Sequence, residues 1–220
     1  MNFFTSDLHF SHANICKGTS KWDNKDENCR DYETIEEMNA AIIESINSRV
    51  GENDTLYHLG DWSFGGWENM WNLRKQITCK NIIQINGNHD NQIVKDKFFN
   101  FLVKENGIIT EITDKTKYRT MGMLKTKADV TAKDFFKEVH SNRHRIVVDK
   151  QEIIMDHYPL EDWINSESGT WMLHGHCHGK LNESVTSLNF KRFDVGWNGK
   201  VYSFEELKEI MDEKRNKWRH

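Results

Sequence analysis

"NIIQINGNHD" occupies residues 81–90. Its first half is apolar and rich in isoleucine, which predicts a strand over 81–87. Its second half turns abruptly polar: Asn88, His89 and Asp90 follow Gly87, where the strand should stop. The same change recurs elsewhere in the chain. "NFFTS" (2–6) predicts a strand that runs into Asp7 and His9, and "TLYHLG" (55–60) one that ends at Asp61. "RIVVDKQEIIMDH" (145–157) reads as a hairpin turning at Asp149–Lys150, with His157 beyond its second strand. "TWMLHGH" (170–176) predicts another strand, and "LHGHCHG" (173–179) places His176 and His178 at its end. In open α/β sheets, ligands bind in the crevice beyond the carboxyl ends of the strands. One Asp-x-His pair carries little weight, but five strand ends that each deliver His, Asp or Asn to one edge point to a site there.

The intervening segments supply the crossovers. "ETIEEMNAAIIESINSRVG" (33–51) predicts a helix, with Ile35, Met38, Ile42, Ile43 and Ile46 at helical spacing and Gly51 as its stop. "WENMWNLRKQI" (67–77) predicts a second helix, and residues 11–32 read as a long polar functional loop. The order β–loop–α–β–α–β implies an α/β sheet with crossover helices. Further along, "QIVKDKFF" reads as a helix, "GIITEIT" as a strand and "TAKDFFKEV" (131–139) as a helix behind Thr131. "VTSLNF" and "RFDVGW" (185–197) read as two strands, and 203–218 as a closing helix with Ser203 and Glu206 in capping-box spacing. The chain is expected to be a single domain over 1–220 with a basic insertion at about 107–145. Lys115, Lys117, Arg119, Lys125, Lys127, Lys133, Lys137, Arg143 and Arg145 make that stretch either a solvated face or a lid that contacts phosphates.

Composition narrows the classes. A net charge of −4 argues against a surface built mainly to hold nucleic acid. The four cysteines, Cys16, Cys29, Cys79 and Cys177, form no CxxC pair and read as reduced thiols. No apolar run approaches the ~20 residues that span a bilayer, and no leader pattern opens the chain, so no membrane role and a cytoplasmic location are expected.

The donor set is chemically specific. Carboxylate, amide oxygen and imidazole suit Mn, Fe, Zn, Ni or Mg better than copper(I) or iron–sulfur, which prefer thiolates. Asp7, His9, Asp61, Asn88, His157, His176 and His178 are too many donors for one four-coordinate zinc. Two cations sharing a carboxylate would use them all, and pairs ~3.5–4 Å apart are the usual device for in-line displacement at phosphorus. In an extended segment His174, His176 and His178 would face one spot, since alternate residues point to the same side.

The series Asp7-Leu8-His9, Gly60-Asp61, Gly87-Asn88-His89-Asp90, His157 and Gly175-His176-Cys177-His178 resembles the calcineurin-like metallophosphoesterase superfamily. All five motifs stand in order between residues 7 and 178. The short chain resembles the small phosphodiesterases of bacteria and their phages. The resemblance implies a four-layer αββα sandwich, two mixed β-sheets face to face with helices outside. It implies that Asp7, His9 and His178 hold one metal, that Asn88, His157 and His176 hold a second, and that Asp61 bridges them. Two divalent ions are expected, manganese first, with Fe, Zn, Ni or Mg as alternatives. His89 would be the general acid for attack by a metal-bridging hydroxide, oriented by Asp90, and His12 would reach substrate together with Asn88 and His89.

The substrate expectation comes from departures. "GDWSFGG" lacks the arginine that protein phosphatases of this group carry after their Gly-Asp, and Asp90 stands where they carry Glu. A small phosphodiester or cyclic nucleotide is therefore favoured. A nuclease on short or single-stranded nucleic acid is the runner-up, a phosphomonoesterase ranks lower, and a non-catalytic nucleotide binder is kept as a different class. His58 and Cys177 read as packing, His174 as a strand residue behind the ligands, and Asp194 as support for the site. Trp62 and Trp163 are the tryptophans set near motifs, and so the candidates for contact with substrate.

Overall fold

The computed structural model describes residues 1–95, 98–99, 102–112 and 130–216. In chain order the strands are β1 (Asn2–Thr5), β2 (Thr55–His58), β3 (Asn81–Ile85), β4 (Leu102–Glu105), β5 (Ile108–Glu111) and β6 (Glu138–His140). They continue with β7 (His144–Val148), β8 (Gln151–Met155), β9 (Trp171–His174), β10 (Arg192–Asp194) and β11 (Tyr202–Ser203). The helices are α1 (Lys25–Asn28), α2 (Ile35–Arg49), α3 (Gly66–Arg74), α4 (Asn91–Val94), α5 (Val185–Asn189) and α6 (Phe204–Asp212). The fold is mixed α/β with two mixed sheets, ordered β11–β1–β2–β3–β6 and β10–β9–β8–β7, and a separate β4–β5 hairpin. In the first sheet only β11 runs antiparallel to its neighbour, and in the second only β7.

Strand alternation divides the core. Phe3, Leu56 and Ile82 face α2 and α3, where Met38, Ile42, Ile46, Met70 and Leu73 complete one cluster. Their neighbours Phe4, Tyr57 and Ile83 belong to a second cluster, with Ile153, Met155, Trp171 and Leu173 of the other sheet. The two sheets therefore share one apolar layer, into which α6 inserts Phe204, Leu207 and Met211. The remaining face of the second sheet is covered by Trp163, Leu160 and Phe190 over Ile154 and Met172.

Local chemistry explains the boundaries. α2 begins at a capping box in which Thr34 and Glu37 exchange hydrogen bonds, and it ends one residue before Val50 rather than at Gly51. α6 starts at the expected Ser203–Glu206 box. The β7–β8 hairpin turns at Asp149 and Lys150, both at positive φ, as a two-residue turn of this hand requires.

Two predicted elements are corrected. Residues 185–189 form α5, not a strand. The buried guanidinium of Arg192 donates to Ser187 Oγ at 3.0 Å and Ser184 Oγ at 2.9 Å. Ser184 also caps the first turn. Supplying a buried cation with acceptors outweighs strand propensity here, and Val185 and Leu188 are left in solvent. The expected helix over 131–139 shrinks to a 3-10 turn at Ala132–Phe135, because the chain then extends to pair Glu138–His140 with Ile83–Ile85. The stretch 107–145 thus contributes β6 to the first sheet and β7 begins within it, while Lys115, Lys117, Arg119, Lys125 and Lys127 lie outside the described residues.

The carboxyl edges of the two sheets meet. Ser6, just past β1, exchanges backbone hydrogen bonds with Val195 and Trp197 beyond β10. The chain after β1 stays paired with the chain after β2: Asp7 N–H donates to Gly60 O, and His9 N–H to Asp61 O. Among the described residues, no helix is long and apolar enough to cross a membrane.

Leu173 is fully buried between the sheets, whereas Leu188 on α5 is 60% exposed. Leu173→Ala is expected to cost about 2–5 kcal/mol in urea denaturation. Leu188→Ala should stay within about 0.5 kcal/mol. Equal losses would contradict the helical placement of 185–189.

Candidate metal centre

Five of the seven expected donors sit on backbone that side chains rarely adopt: Asp7 (φ 54°), His9 (48°), Asp61 (62°), His176 (68°) and His178 (50°). Left-handed positions of this kind cost about 1–3 kcal/mol each and persist only where the surroundings enforce them. Here they turn each side chain back toward the meeting edge. His176 and His178 converge through these turns and not through strand alternation, since β9 already ends at His174. His174 is buried, with Nδ1 donating to Gly175 O at 2.9 Å. Gly175 and Gly87 have no alternative residue at these approaches. A Cβ on Gly175 would overlap Ser6 Oγ and Asp7 Oδ2, and one on Gly87 would overlap Asp61 Oδ1.

The donors fall into two groups. Asp7 Oδ1 lies 3.6 Å from both His9 Nε2 and His178 Nε2, which are 3.2 Å apart. Atoms bound to one cation at about 2.0–2.2 Å stand about 3.0–3.6 Å from each other, so this triangle fits a shared ion. On the other side, His157 Nε2 lies 3.5 Å from Asp61 Oδ2 and 3.0 Å from Asn88 Oδ1, and His176 Nδ1 lies 3.1 Å from Asn88 Oδ1. Asp61 Oδ2 is also 3.7 Å from His9 Nε2, which sets it between the groups. His157 Nδ1 donates to Leu59 O at 2.8 Å, which fixes the ring with Nε2 facing the other donors.

The electrostatics suit a cation. Asp7 and Asp61 are buried carboxylates. Burial drives the imidazoles of His9 and His178 down to about 4, so both are neutral ligands at pH 7. Burial raises Asp61 to about 6, against the lowering influence of His157 and the His89 amide. Among the described residues, Asp7 Oδ1 has no hydrogen-bond partner. A divalent ion would compensate both carboxylates, and the residues present fit one.

Comparison with known proteins adds the fold. No family model matches the chain. A protein of unknown function from Aquifex aeolicus superposes with a TM-score of 0.59 at 21% identity, covering 96% of this chain and 99% of that one. The two share a fold. The phosphoesterase Yfce from E. coli superposes with a TM-score of 0.38 at 12% identity, covering 89% of this chain and 77% of Yfce. An uncharacterized protein of Methanocaldococcus jannaschii is 33% identical over 90 residues, 40% of this chain. The match spans 46% of that relative's length, a little under half.

The surrounding residues divide into expected and unexpected. His89 donates its backbone N–H to Asp61 Oδ1 at 2.8 Å, and its exposed ring stands 5.7 Å from that of His9. Asp90 makes none of its hydrogen bonds to the His89 ring. Its carboxylate accepts from the amides of Asp61, Trp62 and Gly87 and from Gln84 Nε2. It therefore ties the loops after β2 and β3 together, and the expectation that it orients His89 is corrected. His12 lies flat on Phe64 at 4.1 Å, and burial lowers it to about 4. Asp194 supports the site as expected, accepting from Gly179 N–H at 2.9 Å and Gly196 N–H at 2.7 Å. His58 packs as expected, donating to Gln84 Oε1 at 2.8 Å.

A cleft of about 850 Å³ opens over the donors. Cys177, expected to pack away, lines it, and so do Trp22 and Trp197. Trp62 and Trp163 are core residues instead. Arg30 was not anticipated from the sequence. Its Nη1 donates to Leu8 O at 2.6 Å and its Nη2 to Asp7 O at 2.5 Å, while its guanidinium stacks 4.7 Å over Trp197. The available signal was that Arg30 is the only arginine in residues 11–32, the loop that follows Asp7-Leu8-His9.

Arg30 holds the strained Asp7–His9 turn by its carbonyls. Arg30→Met is expected to weaken metal affinity about 10–100-fold, the usual effect of losing a group that orients ligands. Competition with a chromophoric chelator measures it, with circular dichroism checking the fold. Unchanged affinity would remove Arg30 from the site. In the unsubstituted protein, affinity should fall by about tenfold per unit below the Asp61 value, because a proton then competes for that carboxylate.

Proposed function

We propose that this chain is a metal-dependent phosphoesterase that hydrolyses a phosphodiester bond in a small or cyclic nucleotide. The observation that carries the reading is the position of Asp61 Oδ2, between the Asp7–His9–His178 group and the His157 side, beneath a cleft that His89 also lines. Two divalent ions, manganese first, are the proposed occupants, and the four-layer αββα sandwich is the proposed description of the fold. Bound there, such ions supply neutralisation of the phosphate charge and activation of water.

The chain's own residues do the rest. Asp7, His9 and His178 hold one side, Asn88, His157 and His176 the other, and Asp61 spans them. His89 is held by its backbone on Asp61, so its ring can reach the leaving oxygen and protonate it. Such general-acid help is worth about 10²–10⁴ in rate. His12 is a neutral imidazole at pH 7 and offers an N–H to a phosphate oxygen without adding charge. Arg30 lines the same cleft and remains a cation at neutral pH, although burial lowers it to about 10. The cleft has the size of a small-molecule site, typically about 300–1,000 Å³. Its tryptophan-bearing wall is apolar enough for a nucleobase.

The test is hydrolysis of a nitrophenyl phosphodiester against the matching monoester by metal-stripped protein with Mn²⁺, Ni²⁺, Zn²⁺ or Mg²⁺ added singly. Diester cleavage that requires metal and disappears in Asp61→Asn is expected. His89→Ala should keep its metal and lose about 10²–10⁴ in turnover. Full turnover in His89→Ala, or metal bound with neither ester cleaved, would overturn the reading.

A further inference from the structure

A second cluster of donors lies away from the cleft. Glu138 and His140 stand two apart on β6, and His144 opens β7. One ligand atom from each lies within 4.8 Å of the others. The imidazoles of His140 and His144 stack with centroids 3.8 Å apart, and His140 Nε2 lies 3.2 Å from Glu138 Oε2. That last separation is within the span of about 3.0–3.6 Å for two ligands of one ion.

The placement gives the cluster its meaning. β6 is the edge strand of the first sheet, and β7 is the edge strand of the second. Glu138 pairs with Ile83, His140 with Ile85 and His144 with Met155. All three partners belong to the apolar layer between the sheets. Side chains directly opposite across a ladder point to the same face. The three donors therefore line the rim of that layer where it reaches solvent, from both sides of the gap. His140 O accepts from Asn86 N–H at 2.8 Å, two residues before Asn88.

We propose that Glu138, His140 and His144 form a separate binding site for a zinc-class divalent ion that fastens the edges of the two sheets to each other. Two imidazoles and one carboxylate suit zinc, nickel or copper(II) better than magnesium. Three protein ligands leave the remaining position to water. The proposal does not depend on the phosphoesterase reading, since none of the three residues belongs to the cleft.

The test uses the full chain, stripped of metal and titrated with Zn²⁺ alone. His140→Ala/His144→Ala should bind one equivalent fewer than the unsubstituted protein. Asp61→Asn/His157→Ala should still take up the equivalent that the first variant lacks. This second variant separates the two sites, because failure of the cleft to bind metal would leave the rim equivalent in place. In unsubstituted protein, Zn²⁺ should also protect His140 and His144 from diethyl pyrocarbonate, read by peptide mass spectrometry, so the outcome does not hinge on a variant's folding. Equal stoichiometry in unsubstituted protein and His140→Ala/His144→Ala, or undiminished modification of both histidines in saturating Zn²⁺, would overturn the proposal.

Discussion

Two carboxylates buried at one sheet edge impose the central constraint. Asp7 and Asp61 are almost completely enclosed, and a buried anion is costly unless it is matched. The fold answers in part. Asp7 Oδ2 accepts from His176 N–H at 2.9 Å, and Asp61 Oδ1 from His89 N–H at 2.8 Å. Asp7 Oδ1 faces the imidazoles of His9 and His178, which burial keeps neutral and which offer lone pairs rather than compensating charge. Arg30 is close enough to influence Asp7, yet its hydrogen bonds go to the carbonyls of Asp7 and Leu8 and not to the carboxylate. An arginine bonded to the carboxylate would neutralise it and fill its lone pairs. One bonded to the carbonyls fixes the turn and leaves Oδ1 available.

Holding that arrangement requires ties from several elements. Asp90 gathers the amides of two loops, so the turn carrying Asp61 and the turn carrying Asn88 and His89 move as one. Asp194 does the same for the His178–Gly179 turn, and burial pushes its carboxyl up to about 7. Behind them, His58 donates to Gln84, which donates to Asp90. These residues are as buried as the apolar core and touch none of the donor atoms at the cleft. Their effect is to enforce left-handed backbone at the donors, which the donors' own conformational preferences would undo.

Much of this was legible in the sequence, for physical reasons that also mark where it was not. Strands that alternate between a helix-covered face and a shared inter-sheet layer leave a clear pattern in "NFFT" and "NIIQI", and a polar residue after each strand marks the edge. Thr34–Glu37 and Ser203–Glu206 mark helix starts because a capping box is local chemistry. Residues 185–189 misled because Arg192, which recruits Ser184 and Ser187, acts from beyond the segment. The convergence of His176 and His178 was expected for the wrong reason: extended alternation predicts it, but left-handed turns produce it. Asp90 sits beside His89 in sequence, which suggested a pair. In space its carboxylate accepts from the amides of Asp61, Trp62 and Gly87, not from the His89 ring. Trp62 was placed near substrate by its neighbour Asp61, yet the reversal of the chain at Asp61 sends the next side chain into the core.

Some buried polar atoms without hydrogen-bond partners among the described residues lie at the carboxyl edge, where stability has been given up. Asp7 Oδ1, His9 Nδ1, His12 Nδ1, His58 Nε2 and His174 Nε2 cluster around the carboxyl edge. Each such group costs about 1–3 kcal/mol, and a structure optimised only for folding would replace them with apolar side chains. The cost is not spread evenly. His58 and His174 lie behind the donors, in the layer that ties the loops, whereas Asp7 and His9 stand at the cleft. A ligand entering the cleft could recover Asp7 Oδ1 but not His9 Nδ1, because His9 turns Nε2 toward the site. Occupation of the site would therefore stabilise the edge selectively, at Asp7, and the backbone strain there would be offset only when the charge of the two carboxylates is met from outside the chain.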